Sequence, residues 1–120
     1  MSIHQSVRST VAVPIHQLKA EFFKTLGHPA RIRVLEVLRE GERSVGQLVP
    51  EVGIEASHLS QQLATLRRAN LVQTRKEGPS VIYSVENPDI FELLEVAKRI
   101  LTSSLLQSRE LLEELESDPN

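Results

Sequence analysis

The 120-residue chain contains no cysteine and no tryptophan, and its aromatics come to one tyrosine and three phenylalanines. The missing thiols exclude disulfides, thiolate metal sites, cysteine nucleophiles and cysteine redox switches together. With aromatics at 3% of residues, few platforms remain on which unpaired bases could stack, which speaks against single-stranded nucleic acid as a ligand. No stretch approaches the roughly 18 apolar residues of a membrane span, and the opening MSIHQSVRSTVAVPIHQ lacks the continuous apolar core of a secretion signal. A cytoplasmic protein with no membrane partner is expected. There is no glycine-rich phosphate loop and no serine in a nucleophile-elbow pattern, so neither an enzyme nor a bound cofactor is expected.

What is present suits one small folded domain: 40% hydrophobic and 25% charged residues with a formal charge of -2. A chain this short leaves much of its surface exposed unless a partner covers part of it, which favours self-association. Residues 1–14 show no helical period and end at Pro14, so they read as a loose arm, with 15–116 as the folded domain and 117–120 as a tail. Leu18, Phe22 and Leu26 recur at helical spacing up to Gly27. Pro29 then suits the first turn of a second helix that carries Ile32, Val34, Leu35 and Leu38. Ser44 reads as the cap of a third, short helix interrupted by Pro50 and stopped at Gly53.

The next stretch, EASHLSQQLATLRRANLV from Glu55, has no carboxylate after its first residue, although the whole chain is acidic. Wound at about 100° per residue over 56–69, it lines Leu59, Leu63 and Leu66 on one face and Ser57, Gln61, Ala64 and Arg68 on the other, with His58 and Thr65 at the flanks. Two β-prone runs over 72–85 follow, around Gly78 and Pro79, and read as a hairpin with Arg75 and Lys76 on its approach. Beyond Pro88 one long amphipathic segment carries more leucine than a small domain can cover. A short helix, a turn at Gly53, a polar helix without acids and a basic hairpin together spell a winged helix-turn-helix, mainly α with a small β-hairpin, in the order α-α-α-α-β-β-α. Glutamine, serine and histidine on the outer face suit base edges in a major groove, and the neighbouring cations suit phosphates.

Three stretches carry a family resemblance. FFKTLGHPARIRVLEVL, RSVGQLVPEVGIEASHLSQQLATLRRANLV and RKEGPSVIYSV are similar to the opening helices, the helix-turn-helix and the wing of arsenic-repressor type (ArsR/SmtB) regulators, over about 18–106. The resemblance implies a homodimer held by its first and last helices, here through Leu18, Phe22, Leu94, Ala97, Leu101 and Leu105. It implies a repressor acting on double-stranded DNA at a roughly palindromic operator. Residues matched to base contacts are Ser57, His58 and Gln61, with Gln62 beside them; those matched to the backbone and wing are Ser60, Thr65, Arg67, Arg68, Arg75, Lys76, Ser80 and Tyr83.

The chain departs from that pattern in instructive ways. Glu55 stands where a serine often caps the recognition helix. Ser44 and Gly46 occupy the positions of the paired thiols of metal-sensing members, and no histidine follows His58, so Asp89 is left without the partners a zinc ion needs. No metal site is expected; His28 in the GHP turn reads as structural, and His4 and His16 as solvated. The sequence identifies no effector. A winged-helix module that binds protein rather than DNA is the competing reading.

Overall fold

In unit 1, the first turn of helix α1 (Ile15–Leu26) hangs from the Pro14 carbonyl, which accepts from the amides of Gln17 and Leu18, and the helix stops at Gly27. The structure, a computed structural model, describes residues 12–117. The arm up to residue 11, with His4, and the last three residues lie outside them. The chain divides into two units, Met1–Glu86 and Asn87–Asn120.

Helix α2 (Pro29–Arg39) starts as its sequence requires. Pro29 takes the first position, where no N–H is needed, and His28 Nδ1 accepts from the Ala30 amide at 3.1 Å. The structural role expected of His28 is thus a helix cap. Strand β1 (Arg43–Ser44) leads directly into helix α3 (Val45–Val52). Ser44 and Gln47 form a reciprocal capping box, which satisfies two amides that the helix start would otherwise leave unpaired. Pro50 keeps this helix to 8 residues, and Gly53 ends it at φ 80°, a left-handed conformation that suits glycine.

Helix α4 (Ala56–Arg68) ends in a Schellman arrangement: Asn70 takes φ 60°, its amide donates to the Arg67 carbonyl, and the Leu71 amide donates to the Leu66 carbonyl. Strands β2 (Gln73–Glu77) and β3 (Ser80–Ser84) pair antiparallel with Arg75 opposite Ile82 and Lys76 opposite Val81. Gly78 supplies the positive φ that a two-residue hairpin loop needs at its first position.

The sheet has three strands rather than the expected two. Arg43 pairs with Tyr83 and Ser44 with Ile82, giving the order β1-β3-β2. A two-residue strand is too short for any alternation to show in sequence. Helices α2, α3 and α4 pack on one another, and Val34, Leu35, Leu48, Leu59, Leu63 and Leu66 are fully buried between them. Each such leucine contributes about 1.5–3 kcal/mol by leaving water.

The second unit is one helix, α5 (Pro88–Ser117), with Asn87 Oδ1 accepting from the Asp89 amide at its start. Ile90 is buried, whereas the leucines from Leu101 onward are exposed.

Candidate nucleic-acid interface

The two helices of the helix-turn-helix are α3 and α4, joined by 53–55. The burial of Leu59, Leu63 and Leu66 fixes the rotation of α4, so the opposite face is dictated. Ser57, His58, Ser60 and Gln61 are exposed, as are Arg67 and Arg68; Thr65 is half-buried. From Ala56 to Arg68 no carboxylate occurs.

These side chains are not equally free. The Gln61 amide has no partner among the described residues, so its donor and acceptor pair is open for recognition. Thr65 Oγ1 donates back to the Gln61 carbonyl at 3.2 Å and accepts from Arg68 at 3.3 Å, which steadies the arginine along the helix. Ser57 donates to the carboxylate of Glu55. Glu55 occupies the cap position without bonding the helix amides, so the departure from a serine cap is real: this carboxylate faces the positive helix end and holds Ser57 instead. The His58 ring meets the His28 ring edge-on at 5.9 Å.

Gln62 requires a correction. Expected beside Gln61 at the bases, it is only 7% exposed, and its Oε1 accepts from Arg31 Nε at 2.8 Å. The reason is helical arithmetic: Leu59, Gln62, Leu63 and Leu66 form one i, i+3, i+4, i+7 stripe, which faces the core.

The wing is also less basic than its sequence. Arg75 donates to both oxygens of Glu42, reaching Oε1 at 2.7 Å, and to Glu77 at 2.7 Å. The hydrogen bond from Arg75 holds the Glu42 carboxyl below its ordinary value, and the two carboxylates raise the arginine's. Lys76 and Ser80 are exposed, while Tyr83 sits half-buried in the central strand between Arg43 and Thr74. Sequence reasoning missed Glu42 because it lies 33 residues from Arg75 and is brought near only by the pairing of β1 with β3.

At the positions where relatives carry metal thiols, the Ser44 hydroxyl is committed to the α3 cap and Gly46 has no side chain. Those residues do not fit a metal. Among the described residues no three histidine, aspartate or glutamate side chains gather into a candidate metal site.

The family model for bacterial regulatory proteins of the arsR family matches residues 28–74. An HTH-type transcriptional regulator of Mycobacterium tuberculosis, Rv0081, is 55% identical over 103 residues, 85% of this chain and 90% of that one. The chain belongs to the ArsR family. The crystal structure of Rv0081 matches this fold with a TM-score of 0.74, over 81% of this chain and 98% of that one. The biofilm growth-associated repressor of Xylella fastidiosa is 35% identical over 89 residues, 74% of this chain and 78% of that one. The homodimeric winged helix-turn-helix DNA-binding domain of a Mycobacterium bovis protein shares the fold, with a TM-score of 0.68 at 24% identity over 82% of this chain and 88% of that one.

As an ArsR-family member the protein is a DNA-binding transcriptional regulator and not an enzyme, which decides against the protein-binding module. No described helix is long and apolar enough to cross a membrane.

Proposed function

We propose that the protein is a cytoplasmic repressor that binds a roughly palindromic operator as a homodimer and blocks transcription by occupying the promoter. One helix α4 from each copy enters the major groove. Ser57, His58 and Gln61 meet base edges, and Ser60, Thr65, Arg67 and Arg68 meet phosphates. Lys76, Ser80 and, once released from its carboxylates, Arg75 follow the backbone from the wing, with Tyr83 fixing the strand that carries them. The observation that supports this most is the acid-free exposed face of α4 in a chain that is acidic as a whole.

Dimerisation accounts for apolar surface that water would otherwise meet. On α1, Leu18 is 51% exposed and Phe22 half-buried; on α5, Leu101 and Leu105 are 63% and 70% exposed, beside Ala97 and Leu94. A second copy covers these faces and sets the separation of two recognition helices, which makes the operator two-fold.

Selection of binding sites from a random duplex pool tests the reading. Enriched sequences should show an inverted repeat, and Gln61→Ala should relax preference within one half-site while leaving the salt dependence of binding unchanged. Absence of any enriched sequence refutes it.

A further inference from the structure

Arg31 sits in the first turn of α2, the positive end of that helix, where a cation is disfavoured and no acid accompanies it. Its surroundings compensate. Arg31 Nη1 donates to the carbonyl of Thr25 at 3.1 Å, one of the carbonyls that the last turn of α1 leaves without a helical partner, and Nε donates to Gln62 Oε1 at 2.8 Å. Arginine only donates, so the Gln62 amide is oriented with its oxygen toward the guanidinium. One side chain thus joins the end of α1, the start of α2 and the buried face of α4.

Gln62 occupies a place in the leucine stripe of α4 where an apolar side chain would pack without a hydrogen-bond requirement. A buried polar group in such a stripe admits fewer arrangements of its neighbours than a leucine does, because its partner must lie in one direction. Nearby, the His28 cap of α2 touches the His58 ring of α4. The corner 25–31 therefore grips α4 twice, once below and once at its first turn.

We propose that Arg31, through Gln62, is a positioning residue for sequence discrimination: it fixes the rotation and depth of α4 without itself contacting DNA. The inference rests on the reading that α4 meets base edges. It assigns Arg31 a role different from that of Arg67 and Arg68, which lie exposed on α4 and serve phosphates.

The test compares affinity for a selected operator and for a scrambled duplex of equal length, across a salt series, together with thermal unfolding. The Arg31→Met/Gln62→Met double variant replaces both partners by apolar chains of similar length, so the fold should melt within a few degrees of the wild type. Its preference for operator over scrambled DNA should fall about tenfold, the equivalent of one hydrogen bond to a charged group. The salt slope should stay as it was. Gln62→Glu, which keeps an acceptor for Arg31, should retain the preference even where overall affinity drops. Arg31→Lys keeps the charge but cannot serve both acceptors as a fork, and should lose preference at constant slope; this arm stands even where the double variant does not fold. An undiminished preference in the double variant or in Arg31→Lys overturns the proposal. So does equal weakening on both duplexes with a slope shallower by about 0.9, the mark of a lost phosphate contact. A wild type that binds both duplexes alike sinks the base-reading assignment and this role with it, whereas a wild type and variants that discriminate equally sink the role of Arg31 alone.

Discussion

Replacing Glu42 by glutamine should make the protein bind DNA more tightly. Arg75 is held by both oxygens of Glu42 and by Glu77, so the wing's arginine reaches DNA only by exchanging carboxylates for a phosphate. Glu42→Gln removes the two-oxygen acceptor, and adding Glu77→Gln releases the guanidinium entirely. One new phosphate contact steepens the slope of log affinity against log salt by about 0.9. From about 50 to about 200 mM salt, a fourfold range, that slope corresponds to about 3.5-fold greater loss of affinity than the wild type shows, from a higher starting affinity. Glu40→Gln is the charge-matched control, since Glu40 lies in the same turn but makes only a 4.0 Å contact with Arg43. Fluorescence anisotropy on a labelled operator, with Arg75→Gln in the Glu42→Gln background, completes the set. An equal gain from Glu40→Gln, or a gain that survives Arg75→Gln, refutes the reasoning.

The same pairing fixes a pH dependence. Arg75 holds the Glu42 carboxyl below its ordinary 4.5, so the stabilisation is present above that value and is lost as pH falls through the lowered one. An exposed pair contributes little to stability. Thermal midpoints of wild type and Glu42→Gln should therefore differ slightly at neutral pH and converge in strongly acid solution.

Ser44→Ala removes the hydroxyl that accepts from the Gln47 amide; it should cost about 1 kcal/mol and lower the melting temperature by about 4–8 °C, read by circular dichroism. Leu101→Glu with Leu105→Glu should shift the protein to monomer in sedimentation and abolish operator binding at concentrations where the wild type is saturated, because a charge placed on each covered leucine position has no partner in the seam. Gln61→Ala should cost about 1–3 kcal/mol of discrimination at the base pair it reads, measured on operators altered one base pair at a time.

The helices were legible because each carries its own punctuation. Gly27, Pro29, Ser44 and Gly53 act locally, so their signals survive without tertiary context, and the structure uses each as the sequence suggests. Asn70 belongs with them, a left-handed stop that is not glycine. Strand β1 was illegible because two residues carry no period. Gln62 is a different case: the spacing that places Leu59, Leu63 and Leu66 inside also places position 62 inside, but its polarity drew it to the wrong face. The Arg31 and Glu42 contacts could not have been read at all, since both join residues more than 30 apart and neither pairing leaves a trace in local composition.

Those two distant contacts also explain how a chain of formal charge -2 can meet a polyanion. Beyond about 10 Å charges are screened at ordinary salt, so the sum over the chain matters less than what each surface presents. In unit 1 carboxylates near the wing are spoken for by arginines: Glu42 and Glu77 by Arg75, and Glu51 by Arg43 at 3.0 Å. Arg67, Arg68 and Lys76 make no ion pair among the described residues and keep their charge for phosphate. Much of the acid that dominates the total, including Glu110, Glu113, Glu114 and Glu116, belongs to α5. Local neutralisation within one unit and segregation of acid into the other thus do together what a basic composition would do alone, and they leave affinity low enough that hydrogen bonds from a single helix face decide where the protein binds.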